Sequence, residues 1–401
     1  MARPTRPDRT ERRRAQRRQR RLAGLGTVAV AVIVCCTLLA QANGTGGALA
    51  ADALRAVIGP AATARIEVAY LGLSDTLRYA RYHLDAQGVR ASWMVAVTAH
   101  PPRPRVAPTL QAHTLRPMRL PPLPPIVTPA LPGEGLWTTA GLPGPAPGPV
   151  ALPPVAKAFI RPDAARPYAL VTLLQVDLRV ARLHIVAGTA QPGGPRGVAG
   201  AGVILGVNWS QDRLLAAFNG GFKYADGAYG LMSGGTVYVP PVWGAATVAL
   251  TSAGHVIMGS WGLDRRLTGA NGGLTAWRQN GTLLIDHGRI APLTQDGAAW
   301  GLTILNRAYT WRSGIGLTRQ GTLLYAAGDA LSAATLAQAL RAAGAVTAMQ
   351  LDINPFWVRA FTYGQNAAGQ LVAAPLNPGM YGTGREYVTG DARDFFYMTR
   401  P

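Results

Sequence analysis

The sequence predicts an α+β fold: a large, mainly antiparallel or mixed β-sheet domain with few helices, spanning residues 156–401. Three observations lead there. Runs rich in Thr, Val, Ile and Leu flank glycine-bearing turns at Ala253-Gly254, Asn280-Gly281 and Gln320-Gly321, the pattern of successive hairpins. One stretch, Ser332 to Ala343, has a clear helical pattern, with Ser332 as N-cap and Gly344 as the closing glycine. Many strands around one segregated helix fit α+β better than alternating βα units.

The elements ahead of this domain follow in order. Residues 1–21 are a basic tail, with ten Arg against Asp8 and Glu11. Residues 22–42 read as a transmembrane anchor or a signal peptide. Their stretch 22–39 is uncharged and almost wholly apolar, about the length that crosses a bilayer core of roughly 30 Å. Arginines before it and none directly after it predict that the bulk of the chain lies outside the cytoplasm. Ala40-Gln41-Ala42 fits a cleavage site, so a membrane-anchored and a secreted form both stay open. Cys35 and Cys36, the only cysteines, fall in this segment. The remainder therefore has no disulfide, thiol nucleophile or cysteine metal site.

Residues 50–97 predict a helical stalk region, with apolar side chains at Leu54, Val57, Ile58, Val68, Leu71 and Leu77, broken at Gly59-Pro60. Residues 101–155 predict a Pro-rich linker, an extended spacer holding seventeen of the thirty-one prolines. The 21-residue tail thus carries +8 of the net +20, and residues 156–401, with the same +8 over a far longer stretch, are only mildly basic. No nucleic-acid partner is expected.

Within the domain, Ala169–Leu178 and Arg182–Ala187 read as a first hairpin. Arg213–Phe218 reads as a strand running into Asn219-Gly220-Gly221-Phe222. After the helix, the apolar run Ala348–Leu351 delivers Asp352 to a strand end, where Asn354 and Pro355 stop the strand before Phe356 and Trp357. A carboxylate at such a position, beside an amide and aromatics, is a common place for chemistry. The same residues also suit an Asp that merely caps a turn. His184, His255 and His287 stand alone, and calcium-type Asp-rich loops are absent, so neither metal nor cofactor is expected.

Three ordered segments resemble the phosphodiester glycosidase family: the strand ending in Phe218-Asn219-Gly220-Gly221-Phe222; Arg312-Ser313-Gly314-Ile315-Gly316 with its hairpin; and helix, glycine, strand and Leu351-Asp352. The resemblance covers roughly residues 156–401. It implies an extracytoplasmic hydrolase that cleaves a glycosidic bond to phosphate in an envelope or extracellular glycan. Asp352 would serve as general acid/base, with Asp226, Asp394 or Glu386 as second carboxylate. Arg312 would clamp phosphate. Asn219, Gly220, Gly221, Lys223, Asn354, Trp357 and Arg393 would contact substrate, and Trp243 is a further stacking candidate.

One departure matters. Where the family continues Leu-Asp with a glycine-rich run, this chain has Ile353-Asn354-Pro355-Phe356, which offers no glycine and, at Pro355, no N–H. A divergent branch follows. The alternatives are a non-catalytic glycan-binding module that lost catalysis, and a structural membrane tether.

Overall fold

The computed structural model describes residues 59, 73, 75–84, 120–139, 142 and 154–401, except 191, 210–212, 269–272, 297–299, 301–308 and 367. The basic tail, the apolar segment 22–42 and most of the stalk region lie outside the described residues. The chain divides into Met1–Ala69, of which only residue 59 is described, and Tyr70–Pro401, which holds everything below.

Three sheets form the domain, and all their strand pairings are antiparallel. The first runs in the order β1 (Val155–Ile160), β2 (Val171–Asp177), β13 (Thr322–Leu331), β12 (Thr310–Thr318), β14 (Ala345–Gln350), β10 (Leu283–Asp286) and β11 (Arg289–Ile290). The second runs β16 (Leu371–Pro375), β15 (Ala360–Gln365), β4 (Leu214–Asn219), β17 (Phe395–Thr399) and β3 (Arg182–Val186). The third runs β6 (Thr236–Val239), β5 (Leu231–Ser233), β9 (Leu274–Gln279), β7 (Ala246–Thr251) and β8 (Val256–Ser260).

The first sheet is covered on both faces. Leu324 and Ala326 of β13 pack with helix α1 (Ala333–Ala342), while Leu323, Tyr325 and Ala327 enter a core shared with the other two sheets. Successive side chains point to opposite faces of a strand. A sheet buried on both therefore reads as a continuous apolar run rather than an alternation. Helix α1 starts at a capping box: the Ser332 side chain accepts from Thr335 N, and the Thr335 hydroxyl accepts from Ser332 N. It ends before Gly344, whose φ of +96° suits a residue without a side chain. Gly314 on β12 lets α1 lie close, because a Cβ there would stand 2.8 Å from Met349 O and 3.2 Å from Leu336 Cδ2.

The helix and the hairpins at Ala253-Gly254 and Gln320-Gly321 match the sequence expectation. Two expected hairpins do not form. β2 pairs with β1 and β13 while β3 pairs with β17, so Ala169–Ala187 links two sheets. β9 and β10 likewise lie in different sheets, and Asn280-Gly281 is a crossover. Local turn chemistry cannot distinguish a hairpin from a crossover, since both need only a sharp reversal or bend.

The Pro-rich linker also needs correction over part of its length. Leu123 and Val127 are buried, and Glu134 forms a buried ion pair with Arg161 (2.9 Å). Thr138 bridges Lys157 of β1. Residues 120–139 therefore pack on the domain rather than spacing it. Of the stalk region, residues 75–84 are helical, with Asp75 paired to Arg166 and Arg78 to Asp329. Among the described residues no helix is long and apolar enough to cross a membrane.

Candidate active site

The end of β4, the end of β14 and the start of β17 meet where the three sheets join. Register produces this meeting. Phe395 pairs with Asn219, so Asp394 falls beside Gly220. Gly314 pairs with Gln350, so Ser313 falls beside Leu351 and Asp352. Ser313 N and its hydroxyl both donate to Asp352 O, at 3.0 and 3.1 Å.

Asp352 is buried. Its Oδ1 accepts from Ile353 N (2.7 Å) and Asn354 N (2.9 Å), and its Oδ2 accepts from Arg393 Nη2 (3.1 Å). Burial raises the pKa of this carboxyl above the ordinary value, although Arg393 and the two amides oppose the rise; Asp394 adds to it. A carboxyl with a raised pKa can hold a proton where an exposed one would have lost it.

Arg393 is the hinge of the arrangement. Its Nη2 also donates to Gly221 O (2.9 Å), and its guanidinium lies 5.2 Å from the centre of the Trp357 ring. Asp391 orders the loop from below: its Oδ1 accepts from Arg393 N, and its Oδ2 pairs with Arg359 Nη2 at 2.5 Å. Arg359 lies 5.1 Å from the same Trp357 ring. Trp357 is thus half-buried against two guanidinium groups.

Asp394 is held by Arg278 of β9 through Nε (2.7 Å) and Nη2 (3.1 Å), and it accepts from Gly221 N at 3.3 Å. Gly220 is required here, since a Cβ would stand 1.8 Å from Asp394 Oδ2. Asn219 is buried and fully engaged: its Nδ2 donates to Gly220 O and Ser313 Oγ, and its Oδ1 accepts from Tyr325 OH (2.9 Å) and Arg359 N (3.3 Å). It fastens the second sheet to the first and has no donor left for a sugar.

The structure therefore brings together Asp352, Asp394, Arg393, Asn219, Gly220, Gly221, Asn354 and Trp357. Asn354 serves the turn, its Oδ1 accepting from Phe356 N. Lys223 and Asp226 are exposed, with Asp226 on the short helical turn Tyr224–Asp226. Lys223 lines the cleft described below and Asp226 does not. Glu386 accepts from Thr383 N and is a local loop staple. Trp243 is 71% exposed and lies over Gly262, away from this cluster.

Arg312 is not a phosphate clamp. It is 2% exposed, donating to Leu331 O, Trp300 O and Gln350 Oε1 at 2.7–3.1 Å. Burial lowers its pKa to about 10. Its neighbour Ser313 faces the site, and side chains one residue apart on a strand face opposite ways. The residues missed by sequence reasoning are Arg278, Asn280, Ser313, Tyr325, Arg359 and Asp391. Asn280 was readable only as a turn residue, yet its Nδ2 donates to Gln350 O and Leu351 O, and its Oδ1 accepts from Phe222 N. Arg278 carried one signal: a lone cation inside the strand-like run Leu274–Gln279.

The ends of β4 and β14 lie in the stretch that comparison with known families recovers. Residues 212–352 match the phosphodiester glycosidase family model. The match opens just before β4 and closes on Asp352, so Arg393 and Asp394 lie beyond the matched stretch. No curated protein sequence matches the chain. Among solved structures, similarity is found to the catalytic domain of zebrafish N-acetylglucosamine-1-phosphodiester alpha-N-acetylglucosaminidase, auto-inhibited by its pro-peptide. The identity is 14% and the TM-score 0.40, covering 66% of this chain and 88% of that one. A hypothetical protein from Synechocystis is similar at 14% identity and TM-score 0.35, covering 62% of both chains. These structural similarities carry no argument, and the likeness to the family is the match over residues 212–352.

The departure after Leu351-Asp352, where the match to the family model ends, has a visible consequence. Ile353 N and Asn354 N bind the Asp352 side chain, Phe356 N binds Asn354 Oδ1, and Trp357 N and Val358 N bind Asn354 O. Pro355 has none to give. Every N–H from 353 to 358 is consumed within the turn, leaving no backbone cradle for an anion.

Among the described residues, no group of three His, Cys, Asp or Glu is placed to hold a metal ion.

Proposed function

We propose that this protein hydrolyses a glycosidic bond to phosphate in an envelope or extracellular glycan. The observation that carries the reading is the buried Asp352 carboxyl, its pKa raised by burial, held at a strand end against Arg393. In the proposed reaction the bond between the anomeric carbon and the phosphate oxygen breaks. Asp352 gives its proton to that oxygen, and water supplies the hydroxyl that replaces it on carbon. Asp394, anchored by Arg278 on the same glycine turn, is the second carboxylate that the reading uses, and it takes the proton from the attacking water. The apolar segment 22–42 after an arginine-rich tail supports a domain working outside the cytoplasm, anchored or secreted.

The test is hydrolysis of a panel of sugar 1-phosphodiesters by the protein and by Asp352→Asn. Turnover that disappears in Asp352→Asn supports the reading. Absence of turnover across the panel in the unsubstituted protein sinks it.

One observation favours a second reading, a glycan-binding module without catalysis. Asp352 Oδ1 is tied to its own turn and Oδ2 to Arg393, which is how a purely structural Asp would be held. Glycan binding retained by both proteins, with turnover in neither, is the outcome of that reading.

A further inference from the structure

The cleft beside the site has features that neither the family match nor the carboxylates explain. It lies between the loop carrying Pro192 and the turn after β4, with Lys223, Tyr224, Tyr229, Arg393 and the Arg278–Asp394 pair in its wall, and has a volume of about 190 Å³. We propose that this cleft is an anion subsite in which Lys223 and Arg393 side chains bind the phosphate group of a sugar phosphate, in place of a backbone cradle. That the anion is a sugar phosphate rests on the hydrolase reading above; that the cleft takes an anion does not.

Two independent observations lead to side chains as the anion's partners. The first is the backbone inventory at both strand ends. The N–H groups from 353 to 358 are consumed, as described. At the β4 end, Gly220 N donates to Asp394 O, Gly221 N to Asp394 Oδ2 and Phe222 N to Asn280 Oδ1. An anion that approaches Asp352 between the two strand ends finds these amides spent, and charged side chains are the donors that face it there.

The second is the charge that faces the cleft. Arg278 and Asp394 neutralise each other, and Arg278 donates further to Gln279 O and Phe222 O. Arg393 spends only Nη2, on Gly221 O and Asp352 Oδ2. Lys223 is exposed and makes no ion pair among the described residues. The protein has only two lysines, and the other, Lys157, is buried in β1. The cleft thus carries cationic capacity beyond its internal carboxylates, next to aromatic walls that suit the apolar face of a sugar ring. An anion bound by Arg393 would sit directly beside Asp352.

The experiment is equilibrium binding to the full-length chain, by calorimetry, of inorganic phosphate, a hexose 1-phosphate, the unphosphorylated hexose and a hexuronate. Lys223→Ala, Lys223→Glu and Asp352→Asn are compared. The hexose 1-phosphate is expected to bind more tightly than the hexose. Lys223→Ala is expected to weaken it about tenfold, the ratio equivalent to ~1.4 kcal/mol, and Lys223→Glu more. Asp352→Asn keeps binding, because it removes an anion rather than a cation. Unchanged affinity in both Lys223 variants, or equal binding of the neutral hexose, overturns the proposal. Tighter binding of the hexuronate than of the phosphate would overturn phosphate as the ligand. Phosphate binding that depends on Lys223, without turnover of any diester, would uphold the subsite and remove the hydrolase reading. Turnover with an unchanged KM in Lys223→Ala would do the reverse.

Discussion

The Arg278–Asp394 pair joins the third sheet to the second at the edge of the site, and its removal is the most informative perturbation of the architecture. The two side chains are 3% and 8% exposed. Deleting one partner leaves the other charge buried without compensation, which costs about 3–5 kcal/mol. Against a typical total of about 5–15 kcal/mol, such a loss is large. Replacing both, as Arg278→Met with Asp394→Leu, removes both charges and leaves only Gly221 N, Gln279 O and Phe222 O short of a partner. Each of those costs about 1–3 kcal/mol where water cannot reach it. The double variant should therefore be less destabilised than the sum of the singles, with a coupling of about 2–3 kcal/mol. Urea unfolding followed by tryptophan fluorescence measures all four proteins by linear extrapolation. Single losses below about 1 kcal/mol, or strict additivity, would refute a tightly desolvated pair. Where the double variant is stable, any turnover should still be lost, because Gly221 and the Arg393 loop no longer have Asp394 as their anchor.

Other outcomes follow from the same geometry. Gly220→Ala should destabilise by about 1–3 kcal/mol or more, measured by the same unfolding assay, because the new Cβ meets both the side chain of Asp394 and, at 2.6 Å, its carbonyl oxygen. Arg312→Met should lower stability by about 1–3 kcal/mol by taking the donor from Leu331 O and Gln350 Oε1, Trp300 O keeping Gln350 Nε2, while leaving hexose 1-phosphate affinity unchanged in the folded protein; a selective loss of affinity would return Arg312 to the site. For Asp352, burial makes the folded-state pKa higher than the unfolded one, so the folded state binds the proton more tightly. Stability is then lost as pH rises from the ordinary carboxylate value through the raised folded value. Asp352→Asn should remove that slope, so its stability relative to the parent improves with rising pH; equal slopes in urea titrations from pH 4 to about 7 would count against a raised pKa.

Much of the site was legible because it depends on local pattern. A strand stopped by Asn354-Pro355 places Asp352 at its end, and the Asn219-Gly220-Gly221 turn ends another strand. Helix α1 was legible from its cap, its spacing and Gly344. Arg312 was misread for a physical reason: the motif shows that an arginine stands near the site, but strand parity decides which face it takes, and Ser313 occupies the site face. The Asn219 amide was misjudged similarly, since only the tertiary structure brings Tyr325, Ser313 and Arg359 to it.

By itself the sequence determined the class of the fold, the helix, most strands, the place of Asp352 at a strand end and the absence of a glycine-rich run after it. Those follow from side-chain periodicity, capping and the conformational limits of Gly and Pro, all of which act over a few residues. The tertiary structure decided which strands share a sheet, that Asn280 is a three-way staple and that residues 120–139 pack on the domain. It also decided that Arg393, Arg278 and Asp394 converge on Asp352. Those contacts join residues 41 to 172 positions apart, and antiparallel register, not local propensity, selects them.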